Sequence, residues 1–202
     1  MTRLLLVRHG QTGWNHDARY QGHTDIELSE AGFKQAQLLA QRLVREPVEA
    51  VYASDLRRAF ETARIVAAPH KLQVQTVPEL REINFGAWEG LTFEEIKTQF
   101  RELAANWYTS PAKIRIPQGE TFAELKERAY NTVMELVKKH DPGTLIIVTH
   151  GGTIRAIICA LLNIDLNHAF RIRQDNGALN IIEYYENRGV LCLLNDTHHL
   201  CS

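Results

Sequence analysis

Cysteine, methionine and tryptophan are scarce in this 202-residue chain, which contains three, two and three of them. Cys159, Cys192 and Cys201 are an odd set without any C-x-x-C spacing, so the sequence carries no disulfide framework. This usage predicts a reducing, cytoplasmic environment. Cys159 is expected to act as a small apolar residue of the core.

The N-terminal region lacks a long apolar run. Its first run, 4–7, has four apolar residues and ends at Arg8 and His9. A secretory signal needs about 7–15 apolar residues and a membrane span about 20, so we expect neither.

An excess of one charge sign is also absent, since 23 Lys and Arg face 24 Asp and Glu. This balance disfavours a protein that binds nucleic acid through bulk electrostatics. A hydrophobic content of 45% is enough to fill the core of one domain over residues 1–202.

Apolar strand-like segments alternate with amphipathic helical segments along the chain. Strands are predicted at 3–8, 50–54, 72–77, 144–149, 178–185 and 190–195, and helices at 29–44, 55–68, 92–108, 120–140 and 152–162. This order predicts an α/β three-layer sandwich whose central sheet is mostly parallel and flanked by helices. The last two strands form an antiparallel edge hairpin, which offers a surface for a homodimer.

Two similar strings end in His-Gly: "LLLVRHG" at 4–10 and "LIIVTHG" at 145–151. Ligands of open α/β sheets collect beyond the carboxyl ends of the strands. Neighbouring strands lie about 4.8 Å apart, so His9 and His150 could share one small ligand. The following glycines, Gly10 and Gly151, are expected to bring free N–H groups close to an anion. Gly152 adds to this at the start of a helix.

A purely structural role and a zinc site account less well for the paired histidines. Each histidine could simply end a strand, but Arg8-His9-Gly10 would then place two costly polar groups at a buried strand end. A zinc site is disfavoured by the adjacent cation and by the absence of a further ligand residue at i+3 or i+4. Arg8 instead favours an anionic target and a neutral, nucleophilic His9.

Four sequence blocks, in order, resemble those of the histidine phosphatase superfamily, the phosphoglycerate mutase-like group. They are "VRHGQTGWN" at 7–15, "SDLRRAFETA" at 54–63, "LREINFGAWEG" at 80–90 and "VTHGGTIRA" at 148–156. The resemblance covers nearly the whole chain and implies a phosphoglycerate mutase-like fold. It implies no metal and no cofactor.

The resemblance also implies a role for each matched residue. His9 attacks phosphorus and is transiently phosphorylated, and Glu82 protonates the leaving alcohol, with His150 as a second catalytic residue and rival proton donor. The residues implied in phosphate and substrate binding are Arg8, Asn15, Gln21, Gly22, Arg58 and Gly151. Guanidinium groups suit this task because phosphoryl transfer depends on positioned cations with forked donors.

The segment 92–119 is a lid-like insert that bears on the choice between phosphatase and mutase. It contains Arg101 and Arg115 as its arginines, whereas related mutases carry a longer, arginine-richer insert. Its aromatic residues, Phe93, Phe100, Trp107 and Tyr108, suit a bulky and partly apolar leaving group. The sequence therefore favours a phosphatase over a cofactor-dependent phosphoglycerate mutase.

Three further segments resemble those of α-ribazole phosphatases of cobalamin biosynthesis: "RYQGHTDIELSEAG", "FRIRQDNGALNIIEYY" and "LLNDTHHL". They imply α-ribazole 5′-phosphate as the substrate. A broad-specificity phosphatase remains open as an alternative. A non-catalytic phosphate-binding domain is the least favoured, because none of the chemical residues is missing.

Overall fold

A six-stranded mixed sheet forms the centre of the protein, in a computed structural model that describes residues 1–201. The strands are β1 (Thr2–Arg8), β2 (Ala50–Ala53), β3 (Val74–Thr76), β4 (Gly143–Thr149), β5 (Leu179–Tyr185) and β6 (Arg188–Asp196). Their order is β3-β2-β4-β1-β5-β6. The first four are parallel, while β5 and β6 add an antiparallel hairpin. The predicted mostly parallel sheet is thus confirmed.

Seven helices accompany the sheet within the described residues. They are α1 (Gly13–His16), α2 (Glu30–Leu43), α3 (Arg57–Ala67), α4 (Phe93–Gln99), α5 (Arg101–Trp107), α6 (Phe122–Lys139) and α7 (Gly151–Leu161). A short 3₁₀ helix, Leu166–Arg171, follows α7. The segment 92–108, expected to be one helix, is two: Phe100 leaves the helical region (φ −130°, ψ 46°) and its ring packs against Trp88. None of the helices described is both long and apolar enough to cross a membrane.

The two faces of the sheet bury separate apolar clusters, because successive side chains of β1 point to opposite sides. Leu4 and Leu6 pack with residues of α6 and α7. Leu5 and Val7 pack with residues of α2 and α3 on the other face. The result is the three-layer arrangement expected from the sequence, with the carboxyl ends of β1 and β4 in the middle of the sheet.

The insert packs on the outer side of α6 and α7 through a third cluster. Trp107 of α5 is 1% exposed and contacts Phe122 and Phe170. Cys159 belongs to the same cluster and is buried, as expected for an apolar core residue. This packing fixes one wall of the space above the carboxyl ends of the strands.

Strand β6 forms an irregular edge of the sheet. Leu193 pairs with Ile181 and Leu191 pairs with Ile182, so Cys192 is an extra residue in β6. A bulge of this kind bends an edge strand and interrupts its ladder. Pairing of two copies through this hairpin stays a prediction.

Candidate active site

The two histidines stand side by side at the carboxyl ends of neighbouring parallel strands. Arg8 of β1 is paired with Thr149 of β4, and these two residues are followed directly by His9 and His150. The backbone N–H of His9 donates to Thr149 O at 3.0 Å. The ring centroids of His9 and His150 lie 5.1 Å apart. The expectation that both strings end at one edge of the sheet is therefore confirmed.

A cavity of about 410 Å³ opens above these strand ends. Eight of the nine site residues predicted from the sequence line it: Arg8, His9, Asn15, Gln21, Gly22, Arg58, Glu82 and Gly151. His150 is the exception, because its side chain is fully buried beside the ring of His9. The chain thus brings residues from five separate segments around one space.

The imidazole of His9 is held in its neutral form. Its Nδ1 lies 2.7 Å from Gly10 O. A carbonyl oxygen can only accept, so Nδ1 carries the proton and Nε2 keeps its lone pair. Burial lowers the pKa of His9 well below its usual value, and the charges of Arg58 and Arg8 lower it further. The neutral state expected from the neighbouring Arg8 agrees with this environment.

Two of the glycine N–H groups expected to face an anion have protein acceptors instead. Gly10 N–H donates to Thr62 Oγ1 at 3.0 Å, and Gly152 N–H donates to Glu82 Oε2 at 3.0 Å. The expectation of free N–H groups at these two positions is therefore wrong. Gly10 serves close packing, since a Cβ there would lie 2.5 Å from Gly32 O. Gly151 N–H, by contrast, has no acceptor among residues 1–201.

Arg8 and Arg58 place two buried guanidinium groups beside His9. Arg8 Nη1 donates to Gln174 O at 2.6 Å, and Arg58 donates to Thr24 O and Gly22 O at 2.8 and 2.7 Å. The Nε atoms of both arginines are buried without a partner. Burial lowers the pKa of each to about 10, so both stay charged at neutral pH. Gly22 acts here through its carbonyl, which orients Arg58.

The carboxylate of Glu82 occupies the N-terminus of α7. Oε2 accepts from Gly152 N–H, and Oε1 accepts from the backbone N–H groups of Thr153 and Ile83 at 3.1 and 3.0 Å. Arg128 fixes the same segment by donating to Glu82 O at 2.8 Å. These contacts hold the carboxyl group at the cavity wall.

The remaining predicted side chains have polar atoms still available. Asn15 Oδ1 accepts from Thr12 and from Asn176 Nδ2. Gln21 Oε1 and His150 Nδ1 are buried without a partner, while His150 Nε2 lies 2.8 Å from Ser54 Oγ. Burial lowers the pKa of His150 well below its usual value. His150 Nδ1 is the ring nitrogen that has no partner among the described residues.

Four of the six aromatic residues that line the cavity were not found from the sequence. The aromatic members of its lining are Tyr20, Phe85, Trp107, Tyr108, Phe122 and Phe170. Of the four aromatics expected from the insert, Trp107 and Tyr108 line the cavity, whereas Phe93 and Phe100 do not. Tyr20 Oη and Tyr108 Oη are in hydrogen-bond contact, which joins the insert to the segment after β1. Only the folded chain brings these distant aromatic residues together.

Besides Ala18 and Arg19, the latter paired with Glu95, Arg155 is a further unforeseen member of the cavity lining. It is the single charged residue of α7, a helix that is otherwise rich in apolar side chains. A lone charge in a helix buried on most sides is unusual unless it has a polar partner or a ligand. That local signal in the sequence could have identified the residue.

Comparisons with known proteins agree with this geometry. The sequence profile of the histidine phosphatase superfamily (branch 1) matches residues 4–197. Phosphoserine phosphatase 1 of Hydrogenobacter thermophilus is 38% identical over 200 residues, covering 99% of this chain and 95% of that protein. The structure of Bacillus stearothermophilus YhfR matches with a TM-score of 0.94 and 32% identity over 99% of this chain and all of its own. The α-ribazole phosphatase of Shigella flexneri matches with a TM-score of 0.87 and 30% identity, covering 96% of each chain.

Proposed function

The chain belongs to the histidine phosphatase superfamily and is a phosphoric monoester hydrolase; we propose that it dephosphorylates α-ribazole 5′-phosphate through a phosphohistidine at His9. The reaction would release the alcohol and inorganic phosphate. This substrate would place the enzyme in cobalamin biosynthesis. We further propose a cytoplasmic location and one domain over residues 1–202.

The aromatic wall of the cavity is the observation that carries the substrate proposal. Six aromatic side chains line a volume of about 410 Å³, which lies in the range of sites for drug-sized ligands, and the least buried of them are Tyr20, Phe85, Tyr108 and Phe170. Aromatic rings favour a planar aromatic partner, and each such contact contributes about 0.5–1.5 kcal/mol beyond the buried area. The aromatic base of α-ribazole fits such a wall.

The proposed chemistry has two steps. His9 Nε2 forms a bond to phosphorus while the ester P–O bond breaks, and the leaving oxygen takes a proton from Glu82. Water then attacks the phosphohistidine, gives a proton back to Glu82 and releases inorganic phosphate with free His9. Arg8 and Arg58 stabilise the phosphoryl oxygens in both steps.

Phosphoserine is the second candidate substrate, because the Hydrogenobacter thermophilus relative that covers nearly the whole chain is a phosphoserine phosphatase. A mutase reaction is less well supported. Arg115 of the insert donates to Gly119 O and pairs with Glu124, and neither Arg115 nor Arg101 lines the cavity. The insert therefore provides no arginine for a substrate carboxylate.

We expect kcat/KM for α-ribazole 5′-phosphate to exceed that for phosphoserine and ribose 5-phosphate by about tenfold or more, from one to two aromatic contacts. Tyr108→Leu should reduce this preference, because Tyr108 lines the cavity and is 44% exposed, so its loss spares the core. Phe33→Leu, on the exposed face of α2, is the matched control. Phosphate release is measured for all three esters, with and without EDTA.

Equal kcat/KM values for the three esters would leave a broad-specificity phosphatase. Faster conversion of 3-phosphoglycerate to 2-phosphoglycerate than release of phosphate, in the presence of 2,3-bisphosphoglycerate, would instead identify a mutase. Loss of turnover in EDTA with recovery in Mg²⁺ or Zn²⁺ would contradict the metal-independent mechanism.

A further inference from the structure

Arg155 extends from the second turn of α7 into the cavity, on the side where the insert packs. Its Nε donates to Ile172 O at 2.7 Å, and its guanidinium carbon lies 6.0 Å from the centre of the Phe170 ring. These two contacts orient the guanidinium group. Its remaining N–H groups are those on Nη1 and Nη2.

No acceptor for those remaining N–H groups is found among residues 1–201, and no carboxylate there lies within ion-pair distance of Arg155. Burial lowers the pKa of Arg155, although the charge of Glu82 raises it. A largely buried cation without a counterion is costly, so the arrangement is suited to an anionic ligand.

The direction of Arg155 identifies where that anion binds. A Cβ built on Gly151 would lie 3.2 Å from Arg155 Nη1 and 3.3 Å from Arg8 Nε. Arg8 Nε is buried without a partner, and Gly151 N–H is also free among the described residues. Arg155 Nη1 and Arg8 Nε therefore lie on the same side of Gly151, at the edge of the cavity that both arginines line. A tetrahedral anion in that part of the cavity can accept from both guanidinium groups.

We propose that Arg155 is a third phosphoryl-binding guanidinium and a catalytic residue, which contacts the phosphoryl group together with Arg8. This assignment rests on the proposed phosphohistidine mechanism. Once the alcohol has left with the proton of Glu82, the phosphoryl oxygens carry two negative charges and Glu82 carries one, while the phosphorylated His9 ring, which keeps its Nδ1 proton, carries one positive charge. Arg155 adds a third guanidinium to Arg8 and Arg58, which holds the phosphoryl oxygens beside the negative charge of Glu82.

The test compares Arg155→Gln and Arg155→Lys with Arg173→Gln. Arg173 is 80% exposed and pairs with Asp175, so its replacement removes the same charge outside the cavity. Binding of orthovanadate and of inorganic phosphate is measured by calorimetry. We expect Arg155→Gln to weaken both about 10- to 100-fold, the range for hydrogen bonds to charged groups. Arg155→Lys should restore part of the loss, and Arg173→Gln should stay within about twofold of the wild type.

Turnover provides the second readout. Arg155→Gln should lower kcat/KM by a similar factor for 4-nitrophenyl phosphate, α-ribazole 5′-phosphate and phosphoserine, because the phosphoryl group is common to them. A loss confined to phosphoserine would overturn the proposal and make Arg155 a contact for the carboxylate of the leaving group. Unchanged orthovanadate binding in Arg155→Gln would overturn it as well.

Two controls separate this result from misfolding and from a wrong function. Circular dichroism and thermal melting show whether Arg155→Gln is folded. If it is unfolded, the decision rests on Arg155→Lys, which keeps the positive charge but loses the forked pair of N–H donors. Arg155→Lys must then still weaken orthovanadate binding severalfold. A wild-type enzyme that hydrolyses none of the esters would disprove the proposed function. The orthovanadate comparison would still decide the role of Arg155 as an anion ligand.

Discussion

Replacement of His9 by alanine is expected to lower kcat/KM by about four orders of magnitude or more, because it removes the proposed nucleophile. No substitute lies nearby: His150 is fully buried, and its Nε2 already contacts Ser54 Oγ. The neutral state of His9, with Nδ1–H donating to Gly10 O, leaves Nε2 as the attacking atom.

The measurement determines which residue carries the phosphoryl group in quenched enzyme, and whether that bond is stable in acid or in base. Labelled substrate should leave an acid-labile, base-stable phosphoryl group on the peptide that contains His9, and none in His9→Ala. His16→Ala is the control, since His16 is an exposed residue at the end of α1 outside the cavity lining. A label on a serine or aspartate would remove His9 from the nucleophilic role.

Glu82→Gln is expected to slow phosphorylation by an alkyl phosphate about 10²- to 10⁴-fold, the usual range for general acid catalysis. An alkoxide leaves poorly without a proton, whereas 4-nitrophenolate leaves well as an anion. The same variant should therefore lose much less with 4-nitrophenyl phosphate. The ratio of the single-turnover rates on the two substrates shows whether Glu82 donates the proton.

The ratio matters because Glu82→Gln also changes how the side chain is held. Both carboxylate oxygens accept N–H bonds, from Gly152 on one side and from Thr153 and Ile83 on the other. One of these positions would receive the amide NH₂ of glutamine, which cannot accept a hydrogen bond. Displacement from that cause affects both substrates equally. Only the loss of proton donation affects the two substrates differently.

His150→Ala on the same two substrates completes the comparison. Equal losses on both substrates for Glu82→Gln would assign Glu82 a positioning role. If His150→Ala alone lost activity selectively on the alkyl phosphate, His150 would be assigned as the proton donor. We expect His150→Ala to affect both substrates alike, because its available Nδ1 suits a phosphoryl oxygen.

The mostly parallel sheet and the meeting of the two histidines at one edge were predictable from local patterns. Apolar runs that end in Arg8-His9 and Thr149-His150 locate two strand ends, and parallel pairing then places the histidines together. The break at Phe100 was not predictable, because a tertiary contact with Trp88 interrupts a segment that is helical on both sides.

The hydrogen-bond acceptors of the glycine N–H groups also could not be predicted from the neighbouring sequence. Gly152 and Glu82 are 70 residues apart in sequence, and nothing near either residue indicates their hydrogen bond. The aromatic wall has the same character, since it draws on the segment after β1, the insert, α6 and the 3₁₀ helix. Such features depend on how distant segments pack.

The buried guanidinium groups of Arg8 and Arg58 also affect the folding equilibrium of the ligand-free protein. Each has a buried Nε without an acceptor, and a buried donor left unsatisfied costs about 1–3 kcal/mol. An anion that binds only the native state offsets this cost by RT ln(1 + [L]/Kd), about 2.7 kcal/mol at a concentration 100 times Kd. We therefore expect phosphate, the product of turnover, to act as a thermal stabiliser of the enzyme that releases it.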